Sequence, residues 1–131
     1  MADNETNIVR ECLIRASKLN ARLWRQQSGM GWIGKTVRIE KPQTISVAPG
    51  DVVIRQARPF HAGFEGLSDT GGYCMVDGLP VIAQVEVKTA IGAVRPEQSK
   101  WISFIRSIGG RAGIARCADD VDRIIGGEIV D

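Results

Sequence analysis

No apolar run in the sequence approaches the roughly 20 residues that are needed to cross a bilayer, so we expect no membrane-spanning segment. Residues 1–5 (MADNE) lack the basic and apolar regions of a secretory signal peptide. Cys12, Cys74 and Cys117 are odd in number and widely spaced, which fits neither a disulfide framework nor a zinc site. These absences predict a cytoplasmic protein whose thiols are reduced and mostly buried.

The net charge of +2 is too small to indicate nucleic-acid binding by itself, but the charges are unevenly distributed. Residues 1–60 hold 10 Lys/Arg and 5 Asp/Glu, whereas residues 61–131 hold 7 and 10. The first part could therefore face phosphates while the second collects carboxylates, although a solvated basic face explains the first part equally well. With 131 residues, 44% hydrophobic and 24% charged, the chain has the size and composition of one globular domain, 1–131.

The first periodic segment, residues 4–26, predicts an amphipathic helix with Asn4 as its N-cap. One face collects the apolar side chains of Ile8, Val9, Cys12, Leu13, Ala16, Leu19 and Leu23. Another face collects the cations Arg15, Lys18, Arg22 and Arg25. This cationic stripe, together with Lys35, is a candidate DNA-binding surface, and a solvated helix face is the equally plain alternative for the stripe.

The rest of the chain alternates between strand and helix patterns. A glycine-rich loop (29–35) containing Trp32 and Lys35 is followed by strand-like pieces at 36–40, 44–47 and 51–55 and by a turn-rich stretch at 63–72. Then come strands at 73–76 and 79–88 around an Asp77-Gly78 hairpin turn, a helix from Pro96 to about Gly109, a strand at 111–116 and a helix at 118–125. This order predicts an α/β fold, in which helices flank a mixed β-sheet.

Polar residues stand out in the strand at 81–88. Alternation places Glu86 and Lys88 on one face, opposite a face of small apolar residues. Such a pair is most often only a solvated face, but Asp69 lies where the preceding strand begins and can approach Glu86 across the hairpin. Two adjacent carboxylates repel unless a cation lies between them, and a divalent metal held by two carboxylates with several waters is the usual magnesium site. Lys88 would then hold an attacking water or neutralise charge on a phosphate.

Both long helices add a polar residue to an apolar face. Gln98 lies on the same helical face as the apolar residues Trp101 and Ile102, which follow it by three and four positions. A polar side chain on this face needs a hydrogen-bond partner in the interior. It either caps the neighbouring sheet or positions Lys88 or the water. In the first helix, Glu5 shares the apolar face whereas Glu11 lies beside the basic stripe. Glu5 is therefore the better candidate for a site, although a first-turn carboxylate also suits the helix dipole.

Several motifs together are similar to those of one nuclease family. In chain order they are 25–29 (RQQSG), 66–69 (GLSD), 85–89 (VEVKT), Gly92, 96–98 (PEQ), Trp101, 109–113 (GGRAG), 115–116 (AR) and 119–120 (DD). The set resembles the VRR-NUC family, the virus-type replication-repair nucleases of the PD-(D/E)XK superfamily. The similarity covers residues 5–125 and is strongest over 66–116. Ser68 stands where the superfamily name has proline, and the segment 35–59 is longer than the family leads us to expect.

The resemblance implies a restriction-endonuclease-like core that hydrolyses phosphodiester bonds with Mg²⁺ or Mn²⁺. It implies metal binding by Asp69, Glu86 and the backbone carbonyl of Val87, with Lys88 catalytic and Gln98 supporting it. The helix-one glutamate of the family best matches Glu5.

Stand-alone members of this family look like phage proteins that dimerise and act on branched DNA such as a Holliday junction. By this resemblance we expect a homodimeric, metal-dependent endodeoxyribonuclease, which would work in the host cytoplasm if it is phage-encoded. Two other function classes stay open. One is a DNA-binding or assembly protein with a decayed nuclease site, and the other is a small-molecule phosphohydrolase.

Overall fold

A computed structural model describes residues 4–26, 29–30 and 37–131. The elements within these ranges are α1 (Glu5–Lys18), β1 (Ala21–Arg25), β2 (Gly29–Met30), β3 (His61–Ala62), β4 (Thr70–Val76), β5 (Leu79–Val87), α2 (Pro96–Ser107), β6 (Arg111–Ala115) and α3 (Ala118–Ile125). The expected α/β fold, a mixed sheet flanked by helices, is confirmed. Across the described ranges no helix has both the length and the apolar character to cross a membrane.

The main sheet has the strand order β1-β4-β5-β6. Strands β1, β4 and β5 pair antiparallel, whereas β6 pairs parallel to β5 after the crossover through α2. Helices α1 and α3 pack with the face of β5 that carries Val85 and Val87. Helix α2 packs on the opposite face, where Ile102 and Ile105 meet Ala112 and Ile114 of β6. The central strand β5 is therefore covered on both sides.

The β4–β5 hairpin determines where the polar residues of β5 lie. Asp77 and Gly78 have φ values of 50° and 79°, so the predicted type I′ turn chemistry is confirmed. The resulting register places Thr70 opposite Val85, and residue 69 therefore stands level with Glu86.

The first helix is shorter than its periodicity predicts. Asn4 does cap α1, because its side chain accepts a hydrogen bond from the Asn7 amide at 2.9 Å. However, α1 ends at Lys18, the chain reverses at Asn20 with a φ of 55°, and residues up to 25 form β1. The prediction of one helix over 4–26 was wrong because Leu23 satisfies both a helical and an alternating pattern. Arg22 and Arg25 consequently lie on a strand and not on the helix.

The region before β3 also differs from the prediction. Residues 37–60 form no strand and are exposed throughout, with Val37 79% exposed. The strand-like pieces at 36–40, 44–47 and 51–55 were therefore wrong over the residues that the structure describes. Alternating apolar residues form a stable strand only where a neighbouring strand and a core face accept them. Gly29–Met30, expected in a loop, instead pairs with His61–Ala62, while Trp32 and Lys35 lie outside the described residues.

Candidate active site

Two carboxylates meet at the open end of the β4–β5 hairpin. The backbone amide of Asp69 donates to Oε2 of Glu86 at 3.0 Å, and the amide of Val87 donates to Oδ2 of Asp69 at 3.0 Å. Each carboxylate is thus held by the backbone of the opposite strand, and Glu86 is only 2% exposed. The structure therefore brings together the two acidic residues that the sequence predicts to be adjacent.

The second oxygen of Glu86 is approached by a lysine and a glutamine. Lys88 Nζ lies 3.4 Å from Glu86 Oε1, and Gln98 Nε2 donates a short hydrogen bond to the same oxygen. Gln98 is oriented in turn, because its Oε1 accepts from the Arg95 amide at 2.9 Å at the start of α2. Gln98 is buried and contacts the carboxylate of Glu86 on the neighbouring sheet, whereas the sequence left open a capping role on that sheet and a role in positioning Lys88 or a water.

Burial and, after it, the negative charge of Asp69 raise the pKa of Glu86 to about 7, although the charge of Lys88 lowers it in part. The Val87 amide donates to Asp69, and because the N–H and C=O of one strand residue point to the same edge, we expect the Val87 carbonyl on the side of β4 as well.

These oxygen donors fit the predicted cation. Among the residues that the structure describes, no three His, Cys, Asp or Glu side chains form a metal-binding cluster. Two carboxylates and a carbonyl, with water completing the coordination, suit Mg²⁺ or Mn²⁺.

The stability of the metal-free protein should fall as the pH rises from about 4.5 to about 7. Folded Glu86 keeps its proton up to about pH 7, whereas in the unfolded chain this carboxyl releases it near its ordinary value of 4.5. The folded state binds more protons in this window, so the free energy of unfolding decreases with rising pH. We expect a contribution of roughly 1 to 3 kcal/mol. Urea unfolding in EDTA at pH 5 and pH 8 measures it.

Two variants isolate the contribution of Glu86 in that experiment. Glu86→Gln should lose this part of the pH dependence, because the glutamine does not titrate. Glu11→Gln, at an exposed position of α1, should keep it. Identical pH profiles for wild type and Glu86→Gln would show that Glu86 is not held protonated in the folded protein.

A polar network that the sequence interpretation did not identify supports the segment leading to Asp69. Gln84 is 4% exposed, and its Oε1 accepts from Gln26 Nε2 at 2.9 Å and from Trp101 Nε1 at 3.0 Å. The Gln26 amide donates to the Asp69 carbonyl at 2.7 Å, and Gln26 Nε2 also reaches the Ser68 carbonyl at 3.2 Å. The available signal was Gln84 itself, a polar residue on the same strand face as Glu86.

Glu5 lies near the carboxylate pair, on the other side of the sheet end. It lines a cavity of about 160 Å³ together with Asp69, Arg25, Gln26 and other residues of α1. Glu11 does not line this cavity. The choice of Glu5 over Glu11 as a site residue stays a prediction, to which the position of Glu5 beside this cavity adds support.

Glu5→Gln should reduce DNA cleavage by about tenfold or more, whereas Glu11→Gln should leave it within about twofold of wild type. The reason is that Glu5 adds negative charge to the cavity that contains Asp69, on the scale of one electrostatic group at a site. The two variants are matched, since both replace an exposed α1 carboxylate by an amide. Single-turnover cleavage rates compare them, and the reverse order would remove Glu5 from the site.

The predicted DNA-binding cations are differently placed. Arg15 donates to Asp119 at 2.9 Å and to Asp122 at 3.0 Å, so its charge is already compensated by α3 and it is poorly suited to a phosphate. Lys18 and Arg22 are exposed, and Arg25 lines the cavity beside Asp69. Since α1 ends at Lys18, these cations do not form one helical stripe.

The chain matches no protein-family model, no curated protein and no solved structure. The observations that bear on function are therefore the geometry of the candidate site and the resemblance of the sequence motifs.

Proposed function

We propose that the protein is a Mg²⁺- or Mn²⁺-dependent endodeoxyribonuclease of the VRR-NUC type with a restriction-endonuclease-like core. One observation carries the proposal: Asp69, Glu86 and Lys88 converge at one end of the sheet, with Gln98 bound to Glu86. A buried carboxylate close to a second carboxylate is an unfavourable arrangement for stability alone, because the two like charges repel and burial penalises the charged form of Glu86. Such groups are typical of a site where a cation and a phosphate are handled.

In this proposal Asp69, Glu86 and the Val87 carbonyl hold the cation. When bound, the ion would supply Lewis acidity toward a phosphoryl oxygen and lower the pKa of a water. Lys88 contributes a fixed ammonium group beside Glu86, which can orient the attacking water by hydrogen bonding and compensate the negative charge that develops on the phosphate. Gln98 keeps the Glu86 carboxylate in one orientation, which is a positioning role.

We propose branched DNA, such as a Holliday junction, as the substrate and a homodimer as the active assembly. A two-fold pair of identical sites would match the symmetry of a junction. Of the predicted DNA-binding cations within the described residues, Lys18, Arg22 and Arg25 remain suited to phosphates, because Arg15 is ion-paired.

Cleavage of a four-way junction, a flap and a linear duplex of matched sequence tests this proposal, in Mg²⁺, in Mn²⁺ and in EDTA. We expect cleavage that requires the metal and is fastest on the junction. Binding without cleavage under every condition would instead support the DNA-binding or assembly protein. Equal rates on all three DNAs would contradict structure specificity, and light scattering that gives a monomer at micromolar concentration would contradict the dimer.

A further inference from the structure

An aromatic cleft of about 410 Å³ lies on the α2 side of the sheet. It is lined by Phe64, Glu65, Glu97, Lys100, Trp101 and Phe104. The ring centroids of Phe64 and Trp101 are 4.7 Å apart with an interplanar angle of 72°, and those of Trp101 and Phe104 are 5.8 Å apart at 28°. Phe64 and Phe104 are each about half exposed, so part of each ring is open to a ligand.

The walls of the aromatic cleft are held in place. Trp101 donates from Nε1 to Oε1 of buried Gln84 at 3.0 Å, which fixes the plane of the indole. The segment that carries Phe64 packs directly on the first turn of α2, because a Cβ added at Gly66, whose φ is +91°, would lie 2.5 Å from the Glu97 carbonyl oxygen. A fixed aromatic surface loses little conformational freedom when a flat ligand stacks on it.

The aromatic cleft is connected to the carboxylate pair through α2 and β5. Gln98 of α2 contacts Glu86, and Trp101, one helical turn later, contacts Gln84. Gln84 and Glu86 are two residues apart on β5, which corresponds to about 7 Å along the strand. This length is roughly two nucleotide steps of 3.4 Å in a stacked DNA strand. A base in the cleft would therefore belong to a nucleotide very close to a phosphate at Asp69 and Glu86.

We propose that the aromatic cleft is a subsite for an unpaired nucleobase of the DNA strand that is cut; this rests on the proposed nuclease function. The rings supply stacking surfaces, which accept any base. Glu65 and Glu97 repel phosphate, so the sugar-phosphate backbone stays outside while their oxygens can accept from an exocyclic amino group of the base. The cleft thus selects strands with bases outside a duplex, as at a branch point.

Fluorescence anisotropy in EDTA tests the subsite without requiring cleavage. The probes are a labelled DNA fork with unpaired deoxycytidine arms and the same fork with abasic arms, which keeps every phosphate. We expect wild type to bind the deoxycytidine fork about tenfold or more tightly than the abasic fork, the scale of stacking one base on an aromatic ring. Trp101→Ala and Phe104→Ala should each remove most of this ratio without changing affinity for the abasic fork.

Trp24→Ala is the matched control, because Trp24 is a half-exposed tryptophan of β1 that does not line the cleft, and it should keep the wild-type ratio. If Trp101→Ala does not fold, Phe104→Ala decides the question. Equal wild-type affinity for the two forks overturns the proposal, even if metal-dependent cleavage is found. Base-dependent binding by a protein that never cleaves would support the subsite and reject only the nuclease.

Titration with tetramethylammonium chloride against sodium chloride separates the subsite from a cation-binding cage, which aromatic rings with carboxylates can also form. Two results together would overturn the proposal in favour of a cationic partner. Tetramethylammonium would quench tryptophan fluorescence saturably in wild type but not in Phe104→Ala, and wild type would bind both forks equally.

Discussion

Asp69→Asn is expected to lower the rate of DNA cleavage in Mg²⁺ by about a hundredfold or more, the scale of a single electrostatic group in an active site. The substitution removes a charge but almost no volume. Its carbonyl oxygen can still accept the hydrogen bond from the Val87 amide, so the end of the hairpin should keep its geometry. Cleavage should therefore fail because the cation is held too weakly, with the fold and DNA binding retained.

Glu86→Gln should be equally inactive for the same reason, but it is the less conservative change. Both oxygens of Glu86 accept hydrogen bonds, from the Asp69 amide and from Gln98. A glutamine presents an NH₂ group to one of these donors, so some local rearrangement is expected. Asp69→Asn is accordingly the cleaner test of the metal site.

Asp77→Asn provides the control for both variants. Asp77 lies at the turn of the same hairpin, at the end opposite to the site, and its positive φ is tolerated by asparagine. It should cleave at the wild-type rate. Single-turnover cleavage with circular dichroism and DNA binding in parallel makes the comparison, and wild-type turnover by Asp69→Asn would remove this residue from the metal site.

Lys88→Ala is expected to be about as inactive, yet to bind metal. The ammonium group is largely buried 3.4 Å from Glu86, and as a cation it cannot be a ligand. Its loss removes the group that would orient water and compensate phosphate charge. It also removes the charge that lowers the pKa of Glu86, so metal binding should shift to higher pH without being lost.

Calorimetric titration of Mn²⁺ into Lys88→Ala at pH 8.5, beside single-turnover cleavage, separates the two effects. Lys88→Arg is the useful comparison, because it keeps the charge but changes the shape of the donor group, and it should recover only part of the activity. A folded Lys88→Ala protein that binds no Mn²⁺ at this pH would show that Lys88 supports the metal site itself and not the chemistry.

The parts of the fold that local patterns specify were predictable. The strand within residues 81–88, the Asp77-Gly78 turn and Pro96 at the start of α2 each depend on neighbours in sequence, and the structure has all of them. The adjacency of Asp69 and Glu86 followed from the same hairpin, since a two-residue turn leaves one register.

The wrong predictions concern residues whose structure is determined by contacts with residues distant in sequence. Whether Leu23 ends a helix or lies in a strand depends on β4, where Tyr73 pairs with Arg22 across 51 positions. The alternating apolar residues within 37–60 have no strand to pair with among the described residues, so the local pattern predicted strands that do not form there. The contact of Gln84 with Gln26 and Trp101 likewise requires β1 and α2 to be packed on the sheet before it exists.

The tight turn at Asp77-Gly78 has a consequence for folding kinetics. It makes the meeting of Asp69 and Glu86 a contact across only 17 positions, within a hairpin of the kind that forms in about 1–10 μs. The parallel pairing of β5 with β6 must wait for a whole crossover helix to be placed, which is a slower, less local event. Asp69 and Glu86 are thus brought together by the most local part of the sheet. We therefore expect their repulsion to act early in folding, before the rest of the site has assembled around them.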